Sequence, residues 1–408
     1  MEIPDGMTRT RRRGGQTIAA ALLVLATAAS ASGGGTGRLT ALKAGRIQTV
    51  TRGIIENGLI LIRGGRIVGI RADQAVPGGA RVLDFGRGYV MPGVVSPDSN
   101  LGLSGRASMT EDEASRFPAV LGKDLSGDHV VFSIDPAQAD FALALRNGFT
   151  TLAVSPPAAG LSGQGALLTL GPPRLRDMIL RRDAFLKMTV LVNTTFRRML
   201  KTSLEAARTK IAAGQRAGRS PLKAGPREAD DALVRVLEGE MPLIADCPGP
   251  NAVEYLLDAV APYPRIRLAV RGGPGLYKAG PVLKEKRIPV ILEPGIDESV
   301  PGLVPYPERK NYVLKCRGLG LEIAFQAPGP VQEQIRVFHS LNRLRGLGVD
   351  EETLIKGVTI VPARILGVES LVGSLEKGKR ADLIVFRSDP LDGDPVIEAV
   401  LAGGEIVR

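Results

Sequence analysis

Between Val94 and Gly367 the chain repeats one pattern, a short apolar run followed by a longer stretch of helical character. The apolar runs are FTTLAV (149–154), GALLTL (165–170), PLIADC (242–247), RIRLAV (265–270), IPVIL (288–292) and LEIAFQ (321–326). The helical stretches include PAQADFALALRNG, NAVEYLLDAVA and VQEQIRVFHSLNRLRGLG. Buried strands alternating with helices build a parallel sheet, either closed as a barrel or open and doubly wound. Eight such units fit the interval 94–367, which points to an α/β fold with a (β/α)8 TIM-like barrel. No G-x-G-x-x-G opens a helix after the first strand, which weakens the dinucleotide-binding alternative. The basic stretches Arg197–Ala217 and Lys223–Arg235 read as one long helical insertion between strands.

Both ends of the chain carry a different signal. GLILIRGGRIVGI (58–70) places two β-rich runs around Gly64-Gly65, and VIEAVLAGGEIV (396–407) does the same around Gly403-Gly404, shortly after ADLIVF (381–386). Gly-Gly between β-rich runs is a hairpin signal. Chain ends commonly lie close together, so 37–93 and 368–408 are expected to form one composite small β-sandwich domain around the barrel, 94–367. With no Trp and only 4% aromatic residues, the core must be aliphatic.

Residues 1–31 read as a signal peptide: Arg9 and Arg11–Arg13, then TIAAALLVLATAA, then the small-residue site Ala29-Ser30-Ala31. The apolar run is shorter than the ~20 residues of a spanning helix. The expectation is export to a periplasmic or extracellular location with no stable membrane span after cleavage; an uncleaved segment would be an anchor. Met7 is an alternative start, since Glu2 and Asp5 suit such a leader poorly. The net charge of +11 becomes +9 without the leader, 49 basic against 40 acidic residues. No basic block is interleaved with aromatics, so nucleic acid is not an expected partner. Cys247 and Cys316 have no zinc-type spacing, and two isolated cysteines in a long chain read as unpaired core thiols more readily than as a disulfide.

Three segments carry a family resemblance. The entry VLDFGRGYVMPGVV (82–95) and the exit TIVPARILGVESLVGSLEKGKRADLIVF (359–386) resemble the amidohydrolase superfamily, and GLSGQGALLTLGP with DAFLKMTV resembles its imidazolonepropionase-like branch. The resemblance implies hydrolysis of carbon–nitrogen (non-peptide) bonds by metal-activated water. It implies a His-x-His pair on the first barrel strand, one His on each of two later strands, and an Asp on the last. Neutral imidazoles hold the ion, which lowers the pKa of its water to about 7.

This chain departs from that pattern at every ligand. In VMPGVVSPDSNLGL (90–103) the first pair is Asp98 and Asn100; at PLIADCPGP stand Asp246-Cys247-Pro248; at RLAVRGGPGLY stand Arg271 and Gly272-Gly273; at IAFQAPGP stand Ala327-Pro328. The two histidines, His129 and His339, are at none of these positions. Asp98, Asn100 and Asp246 offer too few oxygens for a hard cation, and Ser96, Ser99, Ser155 and Cys247 lack a histidine base. An Asp98–Asp246 acid/base pair is the remaining catalytic reading. The expectation is therefore a pseudoenzyme with no catalytic or metal-binding residues and no cofactor. It would act as a non-catalytic binding or partner subunit, a homo-oligomer or a hetero-oligomer with an active amidohydrolase relative. The alternatives are a surviving hydrolase with an atypical site and a structural surface protein. Asp98, Asn100, Asp246, Cys247 and Arg271 are the candidate binding residues, expected to converge at the barrel mouth, with Arg271 pairing Asp246 or Asp98. The competing expectation is a mouth closed by Pro248–Pro250 and Gly272–Gly275.

Overall fold

A computed structural model describes residues 37–73, 75–103, 124–157, 159–216, 231–294, 312–326 and 337–407. The expected signal peptide and Ala327-Pro328 lie outside the described residues. The chain opens with β1 (Thr40–Gln48), β2 (Ile54–Arg63), β3 (Arg66–Arg71), β4 (Arg81–Asp84) and β5 (Tyr89–Pro92). It continues through β6 (Val94–Ser99), β7 (Phe149–Val154), β8 (Gly160–Thr169), β9 (Ile179–Thr189), β10 (Leu243–Asp246), β11 (Leu268–Arg271), β12 (Val290–Leu292) and β13 (Ile323–Phe325). It ends with β14 (Leu383–Phe386), β15 (Ile397–Ala402) and β16 (Glu405–Ile406).

The first five and last three strands share one sheet, ordered β16-β15-β14-β5-β1-β2-β3, with β4 also paired to β1. The join is β5 against β14, antiparallel, with Met91 opposite Ile384 and Val90 opposite Val385. Successive side chains of a strand point to opposite faces, and the sequence uses both. Val90, Leu383 and Val385 enter the small core of this sheet, whereas Tyr89, Met91, Ile384 and Phe386 enter the large barrel core.

The second sheet, β13-β12-β11-β10-β9-β8-β7-β6, is a nearly closed TIM-like barrel. Three of its strands are buried on both faces: β6, β7 and β8 have no exposed position. That is why the runs read as continuously apolar rather than alternating. One strand departs from the parallel alternation. The run 165–170 belongs to β8, which is antiparallel to both β7 and β9. The link from Val154 to Gly160 is far shorter than the dozen or so residues a parallel crossover needs, so the chain can only turn back. β6, β7 and β9–β13 all run one way. The seam between β13 and β6 is bridged by backbone: Val95 N–H donates to Val358 O at 2.9 Å. Gly357 packs there against Phe325, where a Cβ would lie 2.5 Å from the ring.

Helices cover the outside. They include Ala139–Arg146, Pro250–Val260 and Val337–Gly346, which overlap the stretches expected to be helical. The basic insertion is a helix over Thr194–Arg216 and a second over Ala232–Leu237, capped by Asp231 accepting from Val234 N–H. Among the described residues no helix is long and apolar enough to cross a membrane.

Candidate functional site

Seven polar side chains stand at the C-terminal ends of the seven codirectional strands. They are Asp98 on β6, Ser155 after β7, Lys187 near the end of β9, Asp246 closing β10, Arg271 closing β11, Glu293 after β12 and Gln326 after β13. Barrel strands present their last residues at one face, and sites are built there.

Six of the seven side chains are linked pairwise into one network around the seventh, Lys187. Its Nζ donates to Asp98 Oδ2 at 2.5 Å and to Asp246 Oδ1 at 2.7 Å. Arg271 donates from Nη1 to Asp246 Oδ2 at 2.9 Å and from Nε to Gln326 Oε1 at 2.6 Å. Its Nε lies 3.4 Å from Asp98 Oδ2, and its Nη2 lies 3.5 Å from Glu293 Oε1. Ser155 Oγ–H donates to Asp98 Oδ1. Burial is uneven: the side chains of Lys187 and Asp98 are 5% and 7% exposed, whereas that of Glu293 is 51% exposed. Burial pushes the Asp98 carboxyl up. The Lys187 ammonium and the Arg271 guanidinium, with hydrogen bonds from Lys187 and Ser155, outweigh it and hold the carboxyl below its ordinary range.

Local sequence explains the placement of Asp98. In VVSPDS, Pro97 has no N–H for the ladder, and the β6–β7 register breaks between Ser96 and Ser99. Ser96 Oγ–H donates to Asp98 O at 3.0 Å, and Ser155 N–H donates to Ser99 O at 2.8 Å. The irregularity is thus stitched on both sides, and such breaks re-aim a side chain.

Of the five candidate residues, Asp98, Asp246 and Arg271 come together, and Arg271 pairs with both aspartates. Asn100 is exposed in the turn after β6, with its carbonyl accepting from Leu103 N–H at 3.3 Å. Cys247 follows Asp246, so it faces the other way; it is 1% exposed in the large core. Burial, with the Asp246 carboxylate nearby, pushes its thiol up to about 12. Neither cysteine is in a disulfide. Pro250 begins a helix capped by Gly249. Sequence reading missed Lys187, Glu293 and Gln326. Lys187 carried a signal: it is the one charge inside AFLKMT, and a lysine in a strand buried on both faces requires a carboxylate partner.

The metal that the superfamily resemblance implies does not fit these residues. The two carboxylates already hold an ammonium between them and share a guanidinium, and neither group can join a ligand set while it carries its proton. His129 instead meets Asp183, Nδ1 to Oδ1 at 2.6 Å, and Asp183 lies in the first half of β9, away from the mouth. Among the described residues no group of three or more His, Cys, Asp or Glu is placed to hold an ion.

A TIM-like barrel with its polar residues at the strand ends, joined to a sheet drawn from both chain ends, places this protein among folds of the amidohydrolase type. Residues 334–407 match the model of the amidohydrolase family. The fold is similar to that of an amidohydrolase from Thermotoga maritima MSB8, with a TM-score of 0.76 and 21% identity over 90% of this chain and 99% of that one. It is also similar to a prolidase complexed with N-methylphosphonate-L-proline (TM-score 0.57, 17% identity, 91% and 99% covered). A third similar structure is phenylurea hydrolase B (TM-score 0.55, 17% identity, 90% and 96% covered). No curated protein sequence matches the chain.

Proposed function

We propose that this is an exported amidohydrolase-fold protein that has lost metal-dependent hydrolysis and serves as a non-catalytic binding or partner subunit. The observation that carries the reading is the position of Lys187 Nζ, 2.5 Å from Asp98 and 2.7 Å from Asp246. A metal centre needs carboxylates whose charge is available to the ion. Here those charges are spent internally on Lys187 and Arg271. The network also weighs against the acid/base alternative. A general base needs an accessible lone pair near operating pH, and Asp98 is buried, hydrogen-bonded by Lys187 and Ser155, and held ionised well below neutrality.

What remains at the mouth is a polar rim. Glu293 is half-exposed, and Arg271 is 23% exposed. Both are anchored from below, Arg271 by Asp246 and Gln326, and the Glu293 carbonyl by the Tyr312 hydroxyl. Fixed polar groups over a rigid network suit recognition without chemistry.

The test is turnover. The purified mature protein, supplied with zinc or manganese, is assayed against amide, cyclic-amide and dipeptide substrates. Rates at background, equal in parent and Asp98→Ala, are expected. Measurable turnover that Asp98→Ala abolishes would establish a hydrolase with an atypical site.

A further inference from the structure

At the opposite end of the barrel, the turn that closes the helix Ile360–Ile365 carries two arginines from elsewhere. Arg181, in the first half of β9, donates from Nη2 to Gly367 O at 3.4 Å. Arg267, just before β11, donates from Nη2 to Arg364 O at 3.4 Å. Gly367 adopts φ +67°, and a Cβ there would lie 3.0 Å from Nη2 and 3.2 Å from Nη1 of Arg267, so turn and guanidinium lie close together. Arg235 brings a third guanidinium toward the same place. Its Nη2 donates to Asp183 O at 3.3 Å, and its Nη1 lies 3.9 Å from Asp183 Oδ2.

The charges do not balance. Among the described residues no carboxylate lies within ion-pair distance of Arg181 or Arg267. Asp183 serves Arg235 but is shared with His129. A helix C-terminus offers only about half an elementary charge, too little for Arg181 and Arg267 together. Burial lowers the pKa of Arg181, and the positive fields of Arg267 and Arg235 lower it further, with the Glu369 carboxylate acting in the other direction. Each bond to a turn carbonyl uses one of five N–H donors on a guanidinium. The other donors of each guanidinium remain, and both Arg181 and Arg267 are exposed.

We propose that Arg181 and Arg267, backed by Arg235, bind a phosphate-type oxyanion at the N-terminal face of the barrel. A tetrahedral dianion matches both the surplus charge and the paired donor forks, which favour planar two-point contacts to oxyanions. The group arrives either as free phosphate or as a phosphomonoester. This site is separate from the network at Lys187, so it stands whether or not hydrolysis has been lost.

The test is calorimetric titration of the mature protein with inorganic phosphate, against chloride at equal ionic strength. Phenyl phosphate serves as the monoester probe. Saturable phosphate binding is expected, weakened about tenfold by Arg181→Gln and by Arg267→Gln, since each removes a charge-assisted contact. Arg198→Gln, on the exposed face of the helix Thr194–Arg216, should bind as the parent does. Phenyl phosphate binding tighter than phosphate assigns the site to a phosphorylated ligand; equal binding assigns it to the free ion. Melting curves in phosphate-free buffer show whether each variant folds. Arg181→Gln carries the test if Arg267→Gln does not fold, because Arg181 lies on a strand and contacts the turn only at its tip. No heat beyond the chloride control, or parent-like binding by Arg181→Gln, overturns the proposal.

Discussion

Lys187 donates from Nζ to Oδ2 of Asp98 at 2.5 Å, and both side chains are almost wholly removed from water. Such a contact is decided by what would be left behind if one partner were lost. Taking an ion into the interior costs several kcal/mol, and removing its counter-charge exposes that penalty.

Lys187→Met should therefore destabilise the protein by about 3–5 kcal/mol, the usual range for breaking a buried pair from one side. Both Asp98 and Asp246 lose a partner, although Arg271 still faces them. Adding Asp98→Asn should recover part of the loss, because the stranded charge is gone. Urea unfolding of the parent, single and double variants checks this. A single variant as stable as the parent contradicts the network.

Asp98 also makes stability pH-dependent. Its carboxyl is held below its unfolded value by Lys187 and Arg271 despite burial. Its contribution is thus complete above the unfolded value of about 4 and is lost as pH falls through the lower, folded value. Melting temperatures measured from neutral pH downward should drop more steeply below about pH 4 in the parent than in Asp98→Asn. Parallel curves would mean that Asp98 is not held ionised by its neighbours.

The antiparallel strand β8 gives a packing test that alters no charge. Gly165 lies opposite Phe185, and a Cβ at 165 would come within 2.0 Å of the Phe185 ring. Gly165→Ala should cost about 1–3 kcal/mol by overpacking. The double variant Gly165→Ala, Phe185→Leu should relieve part of that loss in the same unfolding measurement.

Much of this fold is legible in the sequence, because buried strands, hairpin glycines and chain-end β-runs each leave a local signature. The direction of β8 is not carried by its apolar run, GALLTL, but by the short links on either side. The site is legible in part. Asp98, Asp246 and Arg271 end apolar runs, so strand periodicity places them at one rim. Cys247 ends the same run as Asp246, and only the alternation of side chains along β10 separates the two. Lys187 is marked only as the lone charge inside AFLKMT, and nothing local in the sequence names Asp98 and Asp246 as its partners. Glu293 and Gln326 follow strands of only three residues, too short for a phase to be read.

Burial pushes both thiols up to about 12, at Cys247 and at Cys316, so neither forms thiolate at neutral pH. A colourimetric thiol reagent should find essentially no reactive group in the folded protein and both groups in denaturant. Rapid labelling of Cys247 under native conditions would place it at the mouth rather than in the core.

At the barrel mouth the Lys187 ammonium and the Arg271 guanidinium balance the charge of Asp98 and Asp246. The direct measurement is metal content. The purified protein is equilibrated with excess zinc or manganese, passed over a desalting column and analysed by mass spectrometry of the elements. Metal well below one ion per chain is the result expected for parent protein with Lys187 in place. About one retained ion per chain, lost on Asp98→Ala, would contradict it.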